Sequence, residues 1–441
     1  MQEVVLGKVR PGLSDKKRIA ETSAAIIARV ENLAKERGFS IQAILVGSAA
    51  RGTWLSGDHD LDIFLGVPPE GDLGAALEIA RLAAPHHEEK YAEHAYIHAR
   101  MDDFEVDLVP CYLVDDAADL KSAVDRTPFH TKYVSMRIKG KEDDVLLLKQ
   151  FMKGVNVYGS ELKTGGFSGY LTELLVLCYG SFAAVLQAAS SWRPGQLLDL
   201  EGHAAVRHDE PLIVVDPVDP RRNVAAALTL DKMLQFAGAA RSFLAGPKLD
   251  FFFPPSQPPL SDEELTAQVI ARGTMPILLE FAAPDVVEDV LYPQLRKAEG
   301  SIKALLERNG FAMLRSDVST YRDRAVMLFE MQVWQLSKAC LRIGPPAWEA
   351  EHAARFLAAH PNILSGPYIA DGKIVVEETR QYTFARDLLD HEIANLSLGK
   401  HLCASIREGH NIYVGLELLG IKDEGFRIFL AHYFNARLRI V

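Results

Sequence analysis

The sequence predicts an α+β fold of several domains. A mixed sheet with helices comes first, then a mainly helical central part, then a C-terminal α+β region with a small split βαβ sheet. Three observations predict this. Before residue 125, short alternating apolar runs interleave with stretches of 3.6-residue periodicity. From Asp125 the pattern becomes helical. At 251–259, FFFPPSQPP is proline-rich and reads as an extended connector. The expected domains are 1–124, 125–253 and 260–441.

A chain of 441 residues with 48% hydrophobic and 24% charged residues can bury several cores and is not of disordered composition. The formal charge of -11 argues against a nonspecific polycationic binder, but leaves room for RNA held by a local basic stripe. Cys111, Cys178, Cys340 and Cys403 are scattered without zinc-ligand spacing, so reduced thiols and a cytoplasmic location are expected. Met1-Gln2-Glu3 does not open a leader, and no apolar run approaches a membrane span, so no membrane partner is expected. Neither a G-x-x-x-x-G-K-[ST] loop nor a dinucleotide fingerprint occurs, which weighs against P-loop hydrolysis and hydride transfer.

Taken in order, 14–37 is an amphipathic helix with Ser14 as cap, Ile19, Ser23, Ile26, Val30 and Leu33 as its buried stripe, and Gly38 as its end. A strand from Ile41 stops at Gly47-Ser48, which opens a short helix with free backbone N–H groups, a place for phosphate. Arg51, one turn further, can reach such a phosphate. Asp60-Leu61-Asp62-Ile63 then alternates, so both carboxylates share one strand face, roughly 6–7 Å apart. A helix over 72–84 follows. A hairpin over 95–112 turns at Asp102-Asp103 and carries Asp107 on the face of Glu105. If that strand neighbours Asp62, Asp107 lies about 5 Å away. Three such carboxylates can hold two hard divalent ions, one activating a hydroxyl and one gripping a triphosphate. His94 and His98 flank the hairpin start as supporting candidates.

Further along, a helix is expected over 141–153 and one long apolar helix over 167–192. The strand 211–215 runs into Asp216-Pro217-Val218-Asp219-Pro220, a stiff loop that aims Arg222. After the connector, Ser261 and Glu264 form a capping box. A strand at 277–281, a helix 293–308, and strands at 311–314 and 325–334 compose the split βαβ sheet. Arg296, Lys297, Lys303 and Arg308, with Arg315, Arg322 and Arg324 nearby, are the best candidate phosphate stripe. The tail shows a helix at 348–359, a hairpin turning at Asp371-Gly372-Lys373, then helices through Phe429.

Gly47-Ser48, Asp60-x-Asp62 and a strand Asp107 together resemble the nucleotidyltransferase superfamily that includes DNA polymerase beta. The segments GSAARGTWLSGDHDLDIFL, YAEHAYIHAR, EVDLVPCY, KSAVDRTPFHTKYV, FSGYLTELLVLCYGSF and VVDPVDPRRNVAAALTLDK resemble, more closely, the archaeal-type (class I) CCA-adding enzymes, which are tRNA nucleotidyltransferases. The resemblance is strong over roughly the first 245 residues. It implies template-independent addition of C, C and A to a tRNA 3′ end from CTP and ATP, with Mg2+ on Asp60, Asp62 and Asp107. It further implies nucleotide contacts from Gly47, Ser48, Arg51, His130, Lys149 and Tyr158, and a base-reading role for Arg222. A guanidinium only donates, so it suits the acceptors of C and A and opposes the ring N–H of U and G. The apolar C-terminal part leaves room for a homodimer. The alternatives are a poly(A) polymerase or oligoadenylate-synthetase-like enzyme, and a non-catalytic RNA-binding protein.

Overall fold

The computed structural model describes residues 1–91 and 93–435. The chain divides into two compact units, with the break between Pro255 and Ser256.

The first unit begins with α1 (Gln2–Val9), α2 (Leu13–Glu36), β1 (Gln42–Leu45), α3 (Gly47–Arg51), β2 (Asp60–Val67), α4 (Leu73–Ala83), β3 (Glu88–Tyr91), β4 (Ala95–Met101) and β5 (Phe104–Tyr112). The five strands form one mixed sheet in the order β1-β2-β5-β4-β3. Only β2 and β5 run parallel. The alternation in β2 sends Leu61, Ile63 and Leu65 into a core with Val106 and Leu108 of β5 and the buried stripes of α2 and α4. Each such side chain contributes roughly 1.5–3 kcal/mol. On the opposite face Phe64 packs with Val46 and Cys111, while Asp60 and Asp62, earlier on the strand, are not fully covered. The expected Ser14 cap is replaced by the Gly12 N–H, which donates to Asp15 one turn inside α2. The polar strand β3 was not expected.

The rest of this unit is α5 (Arg126–Arg137), α6 (Glu142–Gly154), α7 (Gly169–Tyr179), α8 (Phe182–Ala189), β6 (Gln196–Asp199), β7 (Leu212–Val215) and α9 (Leu230–Ala245). Helices α6 to α9 surround Phe151, Phe182, Phe236 and Phe252, and α1 adds Val5, Leu6 and Val9. The long helix expected over 167–192 is in fact two, α7 and α8, bent by 93°. Gly180 at φ 95° ends the first, and the Ser181 side chain accepts from Ala184 N–H to start the second. Among the described residues no single helix is long and apolar enough to cross a membrane.

The second unit holds α10 (Asp262–Arg272), β8 (Met275–Ala282), α11 (Glu288–Arg308), β9 (Met313–Tyr321), β10 (Arg324–Met331), β11 (Ala339–Pro346), α12 (Ala350–Ala359), β12 (Ile363–Ala370), β13 (Lys373–Thr379), α13 (Ala385–Glu392), α14 (Lys400–Glu408), β14 (His410–Val414) and α15 (Glu424–Phe434). One sheet has the order β14-β8-β10-β9, and the other β11-β13-β12. Strand β10 is antiparallel to both β8 and β9, so those two are parallel to each other across it, with α11 as their crossover. That is the split βαβ arrangement the sequence predicts. Helix α11 starts five residues before the expected Pro293, which sits inside its early turns. Strands β11 and β14 lie where none was expected.

Candidate active site

The β2–β5 register sets Asp62 beside Asp107 and Asp60 beside Glu105. Parallel neighbours lie about 4.8 Å apart, so the carboxylates crowd one patch of the open face. Burial, then Asp107 and Asp60, push the Asp62 carboxyl up to about 6. Burial, Asp58 and Asp107 raise Asp60 as well. Asp107 is tied to β4, where His98 Nδ1 lies 2.6 Å from Asp107 Oδ1 and His98 Nε2 lies 3.3 Å from Glu105 Oε2. His98 therefore joins the site directly. His94 instead meets the Pro110 carbonyl at 2.6 Å.

Crowded carboxylates with raised pKa values fit a cation, which would relieve both the repulsion and the burial cost. Among the described residues, no group of three or more His, Cys, Asp or Glu is spaced to hold a metal by itself. Hard divalent ions can complete such a partial set with substrate phosphates. The Gly47-Ser48 corner lies against these carboxylates. Gly47 has φ 70°, and a β-carbon there would collide with Asp62 Oδ2.

Behind that corner lies a buried polar cluster. Arg51, expected to reach a phosphate, has a side chain only 7% exposed. Its Nε donates to Glu173 Oε1 at 2.9 Å and its Nη1 to Thr131 Oγ1 at 3.2 Å. The Thr53 hydroxyl donates to the same Glu173 oxygen. Lys149 Nζ donates to the Thr53 carbonyl at 2.8 Å. Burial lowers Lys149 to about 8, against the pull of Glu173. A β-carbon on Gly169 would lie 3.1 Å from Tyr158 Oη and 3.7 Å from Lys149 Nζ, so both polar tips lie close to this glycine. Burial raises the Tyr158 phenol, which stays protonated. The Glu173 Oε2 is buried and has no hydrogen-bond partner. Glu173 escaped the sequence reading, although it is the one charged residue in the apolar stretch GYLTELLVLCY.

A second cluster centres on Asp216. Its Oδ2 accepts from Arg222 Nη1 at 2.7 Å and from His130 Nε2 at 2.8 Å. Its Oδ1 accepts from Tyr170 Oη at 3.2 Å and Val218 N–H at 3.1 Å. Burial alone would raise Asp216, but these donors, His130 first, hold it at about 2. Burial lowers His130, against the pull of Asp216. Its ring stacks on Tyr170 with centroids 4.1 Å apart. His130 and Arg222, which the sequence singled out, thus share an anchor that it did not.

Family profiles match the chain in three places: a nucleotidyltransferase domain at 27–130, a tRNA nucleotidyltransferase second domain at 143–253, and a CCA-adding enzyme C-terminal domain at 272–415. The chain is 45% identical to a CCA-adding enzyme of Methanosarcina mazei, over 97% of this chain and 96% of that protein. It is 41% identical to a CCA-adding enzyme of Methanothermobacter thermautotrophicus over 98% and 97%. For one from Haloarcula marismortui the identity is 37%, over 99% of each.

Proposed function

The chain belongs to the CCA-adding enzyme family, and from that premise we infer how its own residues carry out addition to the tRNA 3′ end. It is a tRNA nucleotidyltransferase, of a family that generally depends on a divalent metal. The terminal ribose 3′-oxygen bonds to the α-phosphorus of CTP or ATP, the α–β P–O bond breaks, and pyrophosphate leaves. Asp60, Asp62 and Asp107 would hold Mg2+, which when bound supplies charge for the phosphates and acidifies the attacking hydroxyl. The chain's residues do the positioning. Gly47 and Ser48 offer backbone N–H groups. Arg51, Lys149 and Tyr158 hold the triphosphate and sugar, with Arg51 steadied by Glu173. His130 bounds the nucleotide, and Arg222, pinned by Asp216, meets acceptors on C or A.

The observation that carries this reading is the pairing of Asp62 with Asp107 across parallel strands beside Gly47. We assign 1–124 to catalysis, 125–253 to nucleotide holding and 260–441 to tRNA binding. Exposed Leu341, Ile343 and Ile369 support a homodimer, which light scattering would test. The four free cysteines support a cytoplasmic setting. The functional test offers tRNA lacking its last three nucleotides with CTP, ATP and Mg2+. Three additions and a stop are expected. A longer ladder would indicate a poly(A)-polymerase-like activity, and binding without pyrophosphate release would indicate a non-catalytic protein.

A further inference from the structure

Within the second unit, a cavity of about 240 Å³ is lined by Arg308, Asn309, Gly310, Arg342, Arg380 and Tyr382, among others. The three arginines come from separate elements: the C-terminus of α11, strand β11 and the chain after β13. Each uses its Nε internally. Arg308 Nε donates to the Ala304 carbonyl at 3.1 Å, Arg380 Nε to the Ser337 carbonyl at 3.2 Å, and Arg342 Nε to Glu378. Among the described residues, no hydrogen bond uses an Nη of these three side chains. Other arginines of the candidate stripe differ. Arg296 is bonded to Glu299 and Asp317, Arg315 to the Tyr433 carbonyl, and Arg322 to Asp423.

Three guanidinium groups around one cavity repel each other unless an anion lies between them. Glu378 offsets one of them and also accepts from His360, so the lining keeps net positive charge. Pinning Nε while leaving the Nη pair free suits a guanidinium to paired hydrogen bonds with a phosphate group. Gly310, at φ 89°, carries no side chain into the space.

We propose that this three-arginine cavity binds a backbone phosphate of the tRNA outside the reacting 3′ end. The inference rests on the tRNA substrate assigned above. It adds a grip that holds the RNA body without touching the incoming nucleotide.

The test measures equilibrium binding of tRNA lacking its last three nucleotides across a salt series, so it needs no turnover. The full-length protein is compared with R308Q/R380Q and with R380K, after melting curves establish that both fold. For the double variant we expect Kd to rise on the order of tenfold. We also expect the slope of log K against log salt to shrink by about one. The CTP KM and the rate at saturating tRNA should stay unchanged. R380K should keep the salt slope while weakening binding, since it keeps the charge but loses the fork. Unchanged Kd and slope in the double variant would overturn the proposal. So would stabilisation by inorganic phosphate that the double variant loses while its tRNA binding is intact, because the cavity would then serve a free anion only. Wild-type protein that binds tRNA but adds nothing would count against the catalytic reading, and not against this one.

Discussion

Gly47 and Asp62 share a space too small for both a β-carbon and a carboxylate: a side chain at 47 would overlap Asp62 Oδ2. The glycine is needed twice, since its φ of 70° also lies in the left-handed region. G47A should therefore cost about 1–2 kcal/mol of stability from backbone strain. By displacing Asp62 it should slow single-turnover nucleotide addition roughly 10²-fold. Melting curves and quench-flow read the two effects separately.

Glu173 is a fully buried carboxylate whose one bonded oxygen serves both Arg51 and Thr53. Removing one partner of a buried pair leaves the other charge unmatched. E173A should lose about 3–5 kcal/mol. E173Q keeps an acceptor oxygen, so it should fold and show a raised KM for CTP and ATP with a smaller change in tRNA affinity. Equal KM values for wild type and E173Q would remove Glu173 from the positioning role.

Lys149 titrates at about 8 in the folded chain, below its ordinary 10.5, because burial disfavours the charge. The folded state thus binds fewer protons than the unfolded state between those values, and stability rises with pH across that window. The free enzyme loses this charge above pH 8, so kcat/KM for CTP should fall on a limb near that value while kcat does not. K149M should be more stable at pH 7, by about 2 kcal/mol, yet bind CTP poorly. Denaturation midpoints beside CTP titrations check both halves.

Asp216 holds Arg222 and His130 through one oxygen. Its pKa is depressed, so the stability it contributes is present above about 3.8 and lost as pH falls towards 2. D216N should let Arg222 swing, and R222L removes the reader outright. Both should raise the UTP-to-CTP incorporation ratio by roughly one to two orders of magnitude. Competitive incorporation assays would show it.

The carboxylates were legible because local rules decide them. Period two puts Asp60 and Asp62 on one face, and an Asp-Asp turn closes the hairpin that presents Asp107. The partners of Arg51 and His130 were not legible, because Arg51–Glu173 and His130–Asp216 join positions 122 and 86 residues apart. The break between α7 and α8 is signalled by Gly180-Ser181, but the apolar pattern continues through it and hid the turn. Helix α11 begins five residues ahead of Pro293, which is the sixth residue of the helix and not the first-turn proline that would mark its start. Strands β3, β6, β11 and β14 are edges of their sheets, three of them short, so their own patterns are weak.

The most direct measurement follows radiolabelled tRNA lacking its three terminal nucleotides, with CTP, ATP and Mg2+, for wild type, D62N and D107N at matched folding. Wild type should add three nucleotides and stop, while both variants should lose at least about three orders of magnitude in rate yet still bind tRNA. Extension by either variant at the wild-type rate would contradict the metal-holding role of Asp62 and Asp107.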